Sequence, residues 1–466
     1  MKIFDKPFYL LAAIAIVVAS SVSSLSAQLS ESVPELSSRD GAAYTLYLNP
    51  AGFAFDGLWG SSDPGTNLGL DNAAPTDTFT ADQQDTIRSI WAQTANQFWS
   101  FDVNVTTIDP AVAAGQAAND AQRQSYYDSQ ARMMHTIIGP PGNAGWQGSA
   151  DGIANLGVID SVATNNGDHT NFMFSQDVDY GSAISNGTYI GSIVSHEVGH
   201  TFGLQHQGDY DGGTLVNEYG NGDDSSGSGS YVGIMGNASD RQRVTWRAGS
   251  THNDFGNAVE QDDVDVIMLN SGMSFIDSGI GDTFATATAI PLSGDEVDTS
   301  GNLHRGIINP IEVGSGFDRY DPMGSENYTS DFFTFMSDGT NSISLTVNNG
   351  NDLLTAGVAD NGAILRSQLE IYNYDQTLVA TGIEAADTLS VNFSGLLSSG
   401  EYYAVISSYG GHDEVTASFD GAQYYDMGGY FLTGSGFGIA AVPEPAAGTL
   451  LLMFVVSGQL RRRRCM

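Results

Sequence analysis

Residues 195–208, SHEVGHTFGLQHQG, place His196, Glu197, His200, Gly203 and His206 at the spacing H-E-x-x-H-x-x-G-x-x-H. Histidines four apart meet on one face of a helix, one turn above the other, so the pattern predicts a helix here, spanning about residues 188–202. Gly203 can take the left-handed backbone that ends a helix. The chain can then turn back and bring His206 beside the other two. Glu197, the next residue round from His196, can reach a molecule bound at a shared metal without being a ligand itself.

Three neutral imidazoles leave the fourth position of a zinc ion open, which is the arrangement of a catalytic rather than a closed structural site. Such an ion acidifies a water and polarises a carbonyl, and Glu197 is placed to take the proton and pass it to a leaving amine. The expected metal is therefore Zn2+, held by His196, His200 and His206, with Glu197 as the general base. The other five histidines, His135, His169, His252, His304 and His412, lack this spacing and read as structural or exposed.

HEVGHTFGLQH resembles the extended zinc motif of the metzincin metalloproteases. The resemblance implies a methionine turn beneath the metal, and YVGIMGNAS (residues 231–239) offers Met235, 29 residues after His206. It also implies peptide hydrolysis, a protein or peptide substrate, and a fold over about residues 41–272 with a twisted mixed sheet and an active-site helix. Two positions depart from the family pattern. Gln207 follows the third histidine where the astacin and reprolysin types carry an acidic residue, and no tyrosine follows Met235 closely. The branch of the family is therefore open.

The surrounding sequence supports an α+β domain. Residues 44–48 (YTLYL) read as a strand, Thr80 with Gln83 opens a helix by a capping box, and residues 101–107 (FDVNVTT) alternate as a half-buried strand. Further strands are expected at 134–138, 153–159 and 172–174, and a closing helix at 259–269. The acidic loops 209–213 (DYDGG) and 221–230 (NGDDSSGSGS) could hold Ca2+ through carboxylates or simply be solvated.

From about residue 280 the character changes. Short runs at 331–336, 342–347, 368–373, 388–393 and 401–408, punctuated by Gly, Asp, Ser and Thr, predict an all-β sandwich over 280–437. The segments GDTFATATAI, SDFFTF, GEYYAVISS and GGYFLTGSG resemble the pre-peptidase C-terminal domain of secreted bacterial proteases. That resemblance implies an accessory role in secretion, attachment or solubility. No catalytic cluster is visible in this half.

The termini point to export. Residues 1–27 have a basic start, an apolar run and small residues before Gln28, the layout of a signal peptide. Residues 28–40 read as a disordered start or short propeptide. Residues 442–466 carry Pro443-Glu444-Pro445, an apolar stretch and four arginines, which holds the arginines on the cytoplasmic side of a short transmembrane segment. This order resembles the PEP-CTERM sorting signal of Gram-negative bacteria. It implies a sorting protease of the exosortase type as a partner, a transient membrane anchor, and a final place at the cell surface or outside the cell.

The chain has 16 basic and 54 acidic residues. Six of the former and two of the latter (Asp5, Glu444) lie in the terminal segments, leaving ten arginines, 52 acidic residues and a net charge of −42. Such a body excludes nucleic acid as a partner held by its general field. The single Cys465 lies in the tail, so the body has no disulfide. Two functions fit these features: a secreted zinc endopeptidase, or a surface protein binding extracellular polysaccharide or biofilm matrix through a catalytically inactive metal domain. The presence of Glu197 favours the first.

Overall fold

A computed structural model of the chain describes residues 31–438, except for 71–77, 117, 144, 147, 176–177, 212, 221–229, 238–240, 253–257, 315–318, 385–387 and 415–421. The export and sorting segments, 1–27 and 442–466, lie outside the described residues. Among the described residues no helix is long and apolar enough to cross a membrane.

The first half is built on a five-stranded sheet. Its order is Val103–Thr106, Tyr44–Asn49, Met133–Ile138, Thr170–Met173 and Gly152–Ile153. The first four strands are parallel and the last, at the edge, is antiparallel. Parallel strands are covered on both faces, and Tyr44–Asn49 divides its side chains accordingly. Tyr44, Leu46 and Leu48 enter the main core, while Tyr47 joins Met133, Ile137 and Phe172 on the opposite side.

Two long helices pack together in that main core. Ala81–Gln97 starts with the expected capping box between Thr80 and Gln83 and buries Ile87, Ile90, Trp91 and Ala95. The histidine helix, Ala183–Phe202, begins earlier than the spacing predicts, because Ser182 caps it by accepting from the Ser185 N–H. Gly203 closes it with φ 103°, in the left-handed conformation.

Three expectations are corrected. Residues 31–40, expected as part of a disordered start or short propeptide, are ordered, which removes the first alternative alone: Glu31–Ser32 pairs with Thr78–Phe79, and the Ser38 N–H donates to the Val105 carbonyl. The apolar run 153–159 is a strand only at Gly152–Ile153. Beyond it the chain leaves the sheet and bonds to the end of the histidine helix, Gly157 N–H to His200 O at 2.9 Å. The closing helix occupies Asp263–Ser271 only, because Asp262 caps it and the preceding Ala258–Asp262 pairs as a strand with Arg247–His252.

The second half has two facing sheets. One orders Thr288–Ala289, Ser330–Ser337, Gly400–Ser408, Ser367–Asn373 and Leu378–Ile383; the other centres on Gly428–Ser435, Ser342–Asn349 and Ser390–Leu396. Alternate residues of Ser330–Ser337 are buried, as a sandwich requires. The two halves are not separate bodies. One apolar cluster runs from Tyr44 to Phe437, and Ala422–Tyr424 of the β half pairs with Arg247–His252 of the first half. The change of character near residue 275 is thus a change of secondary structure within one continuous core.

Candidate metal centre

The three histidines of the motif come together. Their ligand nitrogens lie within 4.8 Å of one another, and the Nε2 atoms of His200 and His206 are 3.1 Å apart. Each Nδ1 faces an acceptor: His196 the Ile234 carbonyl at 2.8 Å, His200 the Leu204 carbonyl at 2.7 Å, and His206 the Glu218 carboxylate at 3.0 Å. A carbonyl or carboxylate can only accept, so each Nδ1 carries the proton and each Nε2 offers a lone pair. Three lone pairs converging on one point is an arrangement a cation satisfies, and the donor set fits zinc.

The electrostatics agree. Burial lowers the proton affinity of His196, with His200 and His206 adding to it. His200 is brought down to about 4, first by burial and then by His206. His206 is also lowered by burial, against the opposing pull of Glu218. The contact between His206 and Glu218 is therefore a hydrogen bond from a neutral imidazole rather than an ion pair.

Local sequence explains how the site is built. Gly203 lets the chain reverse after Phe202, and the Asn270 amide then caps the freed Phe202 carbonyl at 2.7 Å. Gly199, inside the motif, makes room for Met235: a Cβ there would stand 2.6 Å from the Met235 sulfur. Met235 is fully buried below the histidines, and its carbonyl accepts from the Gln207 N–H at 2.8 Å. Gln207 is buried as well. Its amide donates to the carbonyls of Arg247 and Gln261, fastening the residue after His206 to the strand Arg247–His252 and its partner.

Glu197 lies at the wall of a cleft of about 530 Å³ that also contains all three histidines. Its carboxyl is pushed well above the usual range, first by burial and then by the nearby Asp151. The edge strand Gly152–Ile153 also lines the cleft, and Gly152 is where Glu197 needs space: a Cβ would lie 2.4 Å from its Oε1.

Four residues of the site were not singled out in the sequence: Asp151, Gly152, Glu218 and Tyr219. The acidic stretch DYDGG, expected either to hold calcium or to be solvated, enters a hairpin of Asp209–Asp211 with Thr214–Asn217, and Asp209 accepts from the Asn217 amide. This hairpin returns the chain to His206, where Glu218 accepts the Nδ1 hydrogen bond and the Tyr219 ring lies 4.5 Å from the imidazole, centre to centre. The turn signal Asp211-Gly212-Gly213 between two short runs could have indicated the return. Of the second candidate calcium loop, residues 221–229 lie outside the described residues.

Comparison with known proteins agrees with this geometry. Residues 101–263, which include the three histidines, Glu197 and Met235, match the model of the reprolysin-like metallo-peptidase family M12B. The match supports a metallopeptidase domain in the first half of the chain, followed by the largely β half. It does so although residue 207 is glutamine. No curated protein matches the chain. Among solved structures, the pre-peptidase C-terminal domain of a collagenase from Bacillus anthracis is 16% identical, with 24% of this chain and 81% of that one covered and a TM-score of 0.14. The CBM51-2 and INT domains of Clostridium perfringens ZmpB, solved with GlcNAc, are 13% identical over 41% of this chain and 39% of that one, also with a TM-score of 0.14. The same ZmpB domains in a second structure give 10%, 41%, 38% and 0.13. At these TM-scores the three likenesses carry no argument.

Proposed function

We propose that the chain is a zinc-dependent endopeptidase of metzincin type, exported to the cell surface or beyond. The observation that carries the reading is the convergence of the three imidazoles, their ligand nitrogens within 4.8 Å of one another, in one cleft with the Glu197 carboxyl. His196, His200 and His206 would hold the ion. When bound, zinc supplies Lewis-acid polarisation of a carbonyl and acidification of a water.

The chain's own residues do the rest. Glu197, with a proton affinity raised by burial, suits a group that accepts a proton from water and returns it to the departing amine. Among the described residues the edge strand Gly152–Ile153 pairs only with Thr170–Met173, and both its residues line the cleft. An extended peptide can add to such an edge by main-chain hydrogen bonds, which places a peptide bond near Glu197 without demanding one sequence. Ile193 and Tyr189, one and two turns before the first histidine, wall the same cleft and can take an apolar side chain. Export rests on the layout of residues 1–27 and 442–466, with an exosortase-type protease removing the tail.

The test is digestion of casein by the purified protein, with zinc content measured on the same sample. Fragments that appear with about one zinc per chain and vanish on chelation support the reading. Zinc binding without any cleavage, of casein or of a peptide library, would favour the inactive binding protein instead.

A further inference from the structure

The carbonyl that orients His196 belongs to a piece of chain too short to hold itself. Ile234 follows the three-residue strand Tyr231–Gly233, which pairs in parallel with another of three residues, Arg243–Thr245. The Ile234 N–H donates to the Thr245 carbonyl at 2.8 Å. Two strands of this length have no independent stability in water. Their position is set by what flanks them.

One flank is the first half of the chain: the Gln97 amide donates to the Val244 carbonyl, and the Trp246 indole to the Gln97 carbonyl. The other flank is the β half. The Thr245 hydroxyl donates to the Tyr425 carbonyl at 2.9 Å, and the Tyr425 N–H returns a bond to the Trp246 carbonyl at 2.9 Å. Arg247 and Ala248 pair with Tyr424 and Gln423. Arg243 places one guanidinium nitrogen 2.6 and 2.8 Å from the two oxygens of Glu384, and both side chains are fully buried. Glu384 also accepts from the Asn349 amide. A buried ion pair repays its desolvation only in good geometry, so it tolerates few arrangements of the strand that carries it.

We propose that the β half is part of the metal centre's support: Glu384 and Tyr425 are positioning residues that fix the Arg243–Thr245 strand, hence the Ile234 carbonyl, hence the His196 imidazole. This rests on the three histidines holding a metal, and goes beyond that reading by assigning the second half a role other than attachment or secretion. The path from Glu384 to His196 runs through Arg243, Thr245 and Ile234: Arg243 and Thr245 are joined along one short strand, and every other link is a hydrogen bond given above.

The experiment uses the full chain and two variants, Glu384→Gln and Thr245→Val, with Asp331→Asn as control. Asp331 is equally buried in the β half but bonds to Tyr430 and Ser278 instead. Zinc affinity is measured by competition titration, and the visible spectrum is recorded after loading with Co2+. Loss of an outer partner costs about 10–100-fold in metal affinity. Glu384→Gln is expected to weaken zinc binding by about tenfold and to shift the cobalt bands, Thr245→Val to do so by several-fold, and Asp331→Asn to do neither.

Wild-type affinity and spectrum in folded Glu384→Gln and Thr245→Val would overturn the proposal, as would equal weakening in Asp331→Asn, which would show general destabilisation. Should Glu384→Gln fail to fold, Thr245→Val decides alone. A wild-type chain that binds zinc but cleaves no peptide would count against the peptidase reading only. One that binds no metal would overturn both.

Discussion

His206 donates an Nδ1–H hydrogen bond to Glu218, twelve residues further on and 3.0 Å away. This carboxylate fixes which nitrogen of His206 faces the metal position, and the hairpin between them delivers it. Glu218→Ala is expected to weaken zinc affinity by about 10–100-fold with the melting temperature of the metal-free protein unchanged. Competition titration with a chromophoric chelator measures it; unchanged affinity would show that the contact does not orient the ring.

Gly152 leaves the space that the Glu197 carboxylate occupies. In Gly152→Ala the new methyl meets a side chain that can swing aside, so folding should survive. Displacement of the base by about 1 Å should lower kcat about 100-fold with little change in KM. Steady-state kinetics on a fluorogenic peptide, alongside thermal melts, would separate this from unfolding.

The metal should also stabilise the fold, because it binds three groups that the unfolded chain does not hold together. At free zinc about 1,000 times the dissociation constant the gain is about 4 kcal/mol. Chelation should therefore lower the melting temperature and re-addition of zinc restore it. A melt indifferent to zinc would contradict the site.

Asp262 and Asp263, at the start of the helix Asp263–Ser271, are each pushed up to about 7, chiefly by burial. Asp262 accepts from the Tyr425 hydroxyl at 2.6 Å across the junction of the two halves. A carboxyl with its folded pKa raised keeps a proton that the unfolded chain has lost. The stability it contributes is full below about pH 4 and disappears as pH rises through 7, by up to about 4 kcal/mol for one such group. Asp262→Asn is neutral throughout. Between pH 5 and pH 8 wild type should lose stability relative to this variant in urea unfolding; parallel pH curves would rule the assignment out.

Much of the first half was legible because its signals are local. The i, i+4 pair His196 and His200, the helix end at Gly203 and the capping box at Thr80 each depend on neighbours within one or two turns. Met235 was legible only through the family resemblance. Its physical reason, the space above Gly199, appears when residues 36 apart in sequence meet. Glu218 and Tyr219 were missed because the acidic stretch before them reads as a loop, and the hairpin that returns them was not recognised. The apolar run 153–159 misled for a related reason: its later residues bond to the end of the histidine helix instead of extending the sheet. Nothing local marks Arg243 and Glu384 as partners, 141 residues apart, so the union of the two halves was invisible where the sandwich itself was readable from its alternation.

The most direct test of the central claim is turnover of a peptide substrate by Glu197→Gln beside wild type, with zinc per chain determined for both. The account predicts equal zinc, equal melting temperatures and a loss of nearly all turnover in the variant, since glutamine keeps the shape of the cleft wall but cannot accept the proton. A zinc-loaded Glu197→Gln that cleaved at the wild-type rate would contradict it.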